Sequence, residues 1–88
     1  MESSYRKNVA GRKQACKDLA ELYEVGKLQE IRDWVEANAI DMGRTRQWKD
    51  SCRFVVDNYD AAATQEDPDR YRRWAILQGI TYMNMYAK

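Results

Sequence analysis

Apolar residues in this chain recur at intervals of three and four, not two. The clearest run is Trp48, Cys52, Val55, Tyr59 and Ala62, spaced 4, 3, 4, 3. That spacing stacks all five on one face of a helix. Phe54 and Val56 widen the stripe, and a helix is predicted over about 44–63. An earlier helix is expected over about 4–24, with Tyr5, Val9, Cys16, Leu19 and Tyr23 facing inward and Ala15 and Leu22 flanking. Gly11 weakens its first half by about 1 kcal/mol relative to Ala. Gly26, after Val25, suits the left-handed residue that ends such a helix. A shorter helix follows over about 28–40, its inner face formed by Leu28, Ile31, Trp34 and Val35 and its end marked by Asp41-Met42-Gly43.

The strongest start signal is Asp67-Pro68-Asp69. Asp67 is a natural N-cap, Pro68 fits the first helical position, and Asp69 meets the positive end of the helix dipole. The helix it opens runs to about residue 86 and departs from simple amphipathic design. Tyr71, Trp74, Ala75, Tyr82 and Met85 form one apolar face, while Ile76, Leu77, Ile80 and Met83 form another. Only Gln78, Thr81, Asn84 and Lys88 make a polar stripe. A helix apolar over most of its circumference is either wrapped by its neighbours or used as a contact surface. No period-two alternation competes with these helices. The stretch 19–31 is similar to a tetratricopeptide turn, but no second copy stands at the required period, so no repeat is read. The pattern therefore predicts one all-α domain over 1–88, a compact bundle of about four helices, three long and one short. Trp34, Trp48 and Trp74 are expected to be at least partly buried.

Composition changes this picture in one respect. Leu, Ile, Val and Phe make up about one residue in six, a level at which disorder competes with folding. Disorder also calls for high net charge, and the formal net charge is +1. Six Tyr, three Trp and four Met supply the bulk that the missing aliphatics do not. The expected molecule is globular, with a small aromatic-rich core.

Charge is segregated along the chain. Residues 1–17 carry a net +4, 18–41 carry −5, 42–53 carry +3, 54–69 carry −5 and 70–88 carry +4. Antiparallel helices could match these blocks inside the molecule, and Asp67 or Asp69 could compensate Arg70, Arg72 and Arg73. Otherwise two basic stretches are left to meet a partner: Arg6, Lys7, Arg12, Lys13 and Lys17, and Arg44, Arg46, Lys49 and Arg53.

The chemistry on offer is limited. There is no histidine, so neither cysteine nor any serine has the usual base beside it, and the commonest metal ligand is missing. Cys16 and Cys52 stand alone, without the four clustered ligands of a zinc site, and are expected to act as small buried hydrophobes. The four glycines are isolated, so no phosphate-binding loop is present. The reading is non-enzymatic, with no catalytic residue, metal or cofactor. No apolar run approaches the roughly 18–20 residues that span a bilayer, and no secretory signal is visible near the start. No membrane partner is expected, and the reading places the chain in the cytoplasm.

Two functions remain. The first is protein binding, by a regulator, adaptor or inhibitor that occupies a partner's surface. Its evidence is the excess apolar arc of the last helix, with Ile76, Ile80, Tyr82, Met83 and Tyr86 as contact residues for another protein or a second copy. In size and composition the chain resembles small accessory proteins of bacteria and their phages. The alternative is nucleic-acid binding. Ala39-Ile40-Asp41-Met42-Gly43 has the Ala-x-x-x-Gly spacing of a helix-turn-helix, followed by Arg44, Arg46, Gln47, Lys49 and Arg53 at the start of the would-be recognition helix. Lys49 stands where that motif expects an aliphatic residue, and the near-zero net charge also counts against this reading.

Overall fold

The computed structural model describes residues 4–88, and its regular structure among them is entirely helical: α1 (Val9–Glu24), α2 (Leu28–Ala37), α3 (Arg46–Ala61) and α4 (Pro68–Met85). Short 3-10 turns follow α2 at Ala39–Met42 and α3 at Ala62–Thr64. The helices run up, down, up and down. The start of α1 meets the end of α4 through Arg12 and Ala87. The start of α2 meets the end of α3 through Gln29 and Tyr59, and Tyr71 near the start of α4 reaches Asn58 late in α3. α3 and α4 form the largest helix pair, with α1 closing over α4 and α2 over α3.

Three of the four helices start at side-chain caps. Asn8 accepts a hydrogen bond from the Gly11 amide at 2.8 Å, Thr45 from the Trp48 amide and Asp67 from the Arg70 amide. Each satisfies an amide that the first helical turn leaves without a partner. The cap at Asn8 shortens the first helix relative to its expected start at Ser4. Residues 4–8 instead lie across the bundle, with Tyr5 edge-on to Trp34, ring centroids 5.6 Å apart, and its hydroxyl donating to the Asp18 carboxylate. Gly11 makes this crossing possible. A Cβ there would stand 1.8 Å from the Arg6 carbonyl oxygen, so the glycine that costs helix propensity admits a close backbone approach. Gly26, at φ +77°, ends α1 as its sequence position indicated.

The core runs through all four helices: Ala15, Cys16 and Leu19 from α1, Ile31 and Val35 from α2, Trp48, Cys52, Val55 and Tyr59 from α3, and Ala75, Ile76, Ile80 and Met83 from α4. Each fully buried aliphatic side chain contributes roughly 1.5–3 kcal/mol. Trp48 is the largest residue inside. Its indole Nε1 donates to the Ala39 carbonyl at 2.6 Å, the Arg12 guanidinium stands 6.0 Å from the ring, and Gly43 leaves room for the ring, since a Cβ would come within 2.6 Å of it. This contact accounts for the early end of α2. The helix stops at Ala37, not Ile40, and the 3-10 turn presents Ala39 to Trp48 and the Met42 carbonyl to Arg12 at 2.8 Å. Cys16 and Cys52 are buried, unbonded thiols. Burial pushes both up to about 12.

Candidate functional surfaces

The contact residues expected on α4 divide between inside and outside. Ile76 and Met83 are 0% exposed and Ile80 is 7% exposed, so these three belong to the chain's own core. α3 and α1 cover the C-terminal half of α4 from within the chain, Phe54 of α3 packing on Tyr82 and Arg12 of α1 donating to the Ala87 carbonyl. Tyr82 is half-buried, edge-on to Phe54 at 5.5 Å. Of the five, only Tyr86 is exposed.

Other residues of the same helix face solvent. Trp74, Leu77, Met85 and Tyr86 are 46, 50, 52 and 39% exposed; Trp74 is thus partly buried, as expected, with the rest of its ring at the surface. Among the described residues six large hydrophobics are exposed, and these are four of them; the other two, Val9 and Val25, lie far apart at the two ends of α1. Leu77, Trp74 and Met85 share an arc with Gln78, Thr81 and Asn84, so the polar stripe read from sequence faces solvent with apolar residues set among it. Trp74 is held in place by Phe54, at 5.5 Å between centroids, and by Tyr71, at 5.2 Å. Beside this arc, α1 and α4 enclose a groove of about 380 Å³ lined by Lys13, Cys16, Lys17, Ala20, Leu77, Ile80, Thr81 and Asn84.

The basic residues at the start of α3 are brought together only in part. Arg44 is exposed in the segment before the helix, and Arg46, Gln47 and Arg53 are exposed on it, while Lys49 is half-buried. Arg46 lies 3.5 Å from Asp50. Residues 46, 50, 53 and 57 recur at helical spacing, so Asp50 and Asp57 share the outer face with Arg46 and Arg53. Residues 38–45 separate α2 from α3, where a helix-turn-helix has a turn of about three or four. Arg44 points elsewhere, into a groove of about 350 Å³ that it lines with Lys7, Arg12, Asp41, Met42, Gly43 and Thr45. That groove joins the two basic stretches of the sequence, a juxtaposition that only the fold supplies.

The charge blocks are not matched by pairing across helices. Arg32 is the exception. It bridges Asp60 of α3 at 2.9 Å while also holding Glu36 at 3.0 Å and Asp33 at 3.1 Å, and these carboxylates raise its already high pKa. The other ion pairs among the described residues are local, at i,i+3 or i,i+4. Arg72 pairs with Asp69 at 3.5 Å and lies over the Tyr59 ring at 5.4 Å, whereas Arg70 and Arg73 have no carboxylate within 4 Å among the described residues. Lys7, Lys13, Lys17 and Arg44 are likewise unpaired among the described residues. Their sequence positions flagged them; only the packing distinguishes paired cations from free ones.

Among the described residues no three potential ligands gather to hold a metal ion, and no helix is long and apolar enough to cross a membrane. Comparison of the chain with family models, with characterised proteins and with solved structures finds no match.

Proposed function

We propose that the chain is a small non-enzymatic protein-binding module, a regulator, adaptor or inhibitor that works by covering a partner's surface with the outer face of α4. The observation that carries this reading is the concentration of exposed apolar bulk there: Trp74, Leu77 and Met85 on one arc of the helix. Tryptophan and tyrosine are enriched among residues that dominate binding energy. A Trp74 ring already fixed by Phe54 and Tyr71 loses little freedom on binding, which lowers the entropic cost. Two unbonded thiols suit a reducing compartment, in keeping with a cytoplasmic site of action.

The test is capture from an extract of the protein's native cells, comparing the intact chain with a Leu77→Gln, Met85→Gln variant. Both residues are exposed, so the variant should keep its helical circular dichroism. The expected result is a partner retained by the natural chain and lost by the variant. Retention of the same partner by both would remove α4 from the contact.

A second reading has its own observation. Lys7 and Arg44, one from each basic stretch, line one groove at the start of α3, and neither has a carboxylate within 4 Å among the described residues. This end of the molecule could meet the phosphates of a nucleic acid. Random duplex should then bind more weakly as salt rises from about 50 to 200 mM, because each neutralised phosphate releases counterions. Lys7→Ala and Arg44→Ala should flatten that slope. No binding at the lower salt would eliminate this reading.

A further inference from the structure

We infer that the partner seated on this face is an acidic amphipathic helix: an apolar edge at i, i+3 or i+4, and i+7 laid along Leu77, Trp74 and Met85, with carboxylates set against Lys13 and Lys17. The inference rests on the reading of α4 as a protein contact and names the chemistry of what it contacts.

Shape comes first. From Trp74 to Met85 the exposed arc is about 16 Å long at 1.5 Å per residue, the length of three helical turns. Alongside it lies the groove between α1 and α4, whose apolar floor is Cys16, Ala20, Leu77 and Ile80. A ridge beside an apolar trough is what a helix laid into a groove requires.

Charge then selects the occupant. Lys13 and Lys17 stand one turn apart on the α1 wall, and the opposite wall offers neutral Thr81 and Asn84; among the described residues no carboxylate lines the groove. Residues 70–88 contain four cations and no carboxylate. Of these, Arg70, Arg73 and Lys88 are exposed. The nearest acids of α4's own end, Glu66 and Asp67, lie at its N-terminal tip beside Arg70 and Trp74, and Asp69 is taken by Arg72. The groove itself is therefore positive, with Glu21 and Glu24 exposed further along α1. A second copy docked by the same face about a two-fold axis would set lysines against lysines, because such an interface pairs a patch with itself. An anionic lipid surface fits less well, since a surface-lying helix needs a broad apolar face and here Gln78, Thr81 and Asn84 interrupt it. Duplex nucleic acid would leave the apolar floor unused.

The experiment titrates the intact protein against two fluorescently labelled 18-residue helical peptides with identical leucine positions, one flanked by Glu and the other by Lys. The Glu-flanked peptide should bind at least about tenfold tighter near 50 mM salt, with the margin narrowing near 500 mM. Leu77→Gln should abolish its binding, and the double variant Lys13→Glu, Lys17→Glu should reverse the preference. Equal affinity for the two peptides, both lost on Leu77→Gln, would overturn the charge assignment and leave α4 as a contact face. Binding of either peptide unaffected by Leu77→Gln would overturn both. A concentration-dependent dimer in sedimentation, abolished by Leu77→Gln, would assign the face to a second copy instead. Binding to phosphatidylserine vesicles without binding to either peptide would assign it to lipid.

Discussion

α3 and α4 pack against each other along their length, yet they carry their apolar residues in opposite ways. On α3, Trp48, Cys52, Val55 and Tyr59 all lie inside, and the face behind them alternates Arg46, Asp50, Arg53 and Asp57. On α4, Ala75, Ile76, Ile80 and Met83 lie inside while Trp74, Leu77 and Met85 lie outside. A narrow apolar stripe identifies its own buried side. A helix that is apolar nearly all round does not, because several rotations about its axis bury similar area. What fixes the rotation of α4 is shape. Gly79 faces α3 so closely that a Cβ would stand 2.2 Å from Cγ2 of Val55. The smallest residue of α4, not its largest, marks the contact with its neighbour.

The largest expected effect tests the α3 side. Trp48→Ala removes a fully buried indole, leaves the Ala39 carbonyl without its donor and strips the ring from beneath Arg12. Stability measured by urea titration should fall by about 3–5 kcal/mol. A loss under about 1 kcal/mol would mean that the seam does not carry the core.

Next comes the contact that sets the rotation of α4. Gly79→Val should cost about 2–3 kcal/mol, since Val55 is itself buried and β-branched and has little room to yield. Thr81→Val, on the outer face of the same helix, should change stability by no more than about 0.5 kcal/mol. Similar losses at both positions would mean that α4 has no distinct inner side.

These contrasts also explain what could be read from the residues beforehand. The helices, their order and the Asp67-Pro68 start were legible because capping and periodicity are local. The rotation of α4 was not, since Gly79 looked like any isolated glycine until Val55 was placed against it. Likewise Gly11 looked like a defect before Arg6 was seen to cross it. Lys7 and Arg44 stand far apart in sequence, and their common groove depends on how α1, the 3-10 turn and α3 meet at one end. The interior place of Ile76 and Met83, against expectation, follows from the same missing information: which neighbour covers which arc.

Cys16 and Cys52 extend the test of the interior to pH. Their folded pKa values of about 12 lie above the ordinary 9.0 because burial disfavours the thiolate. The unfolded chain therefore loses protons first as pH rises. The stability tied to these thiols is complete below about pH 9 and is lost progressively toward pH 12. At pH 10 the loss should be on the order of 1 kcal/mol per thiol. Cys16→Ala and Cys52→Ala should each flatten this alkaline limb even while lowering stability at neutral pH. An unchanged limb in both variants would place the thiols in contact with water.

The smallest effect tests the other half of the comparison. If the outer face of α4 contributes nothing to the fold, replacing an apolar residue there by a polar one should leave stability nearly untouched. Leu77→Gln exchanges side chains of similar length at a site 50% exposed, and the change should stay within about 0.5 kcal/mol. The same swap at buried Leu19 would strand an amide among apolar neighbours and should cost several times more. The ratio between the two sites matters more than either value, because denatured-state effects act on both. A loss at Leu77 approaching that at Leu19 would place it in the fold after all, and the surplus apolar surface of α4 would no longer call for a partner.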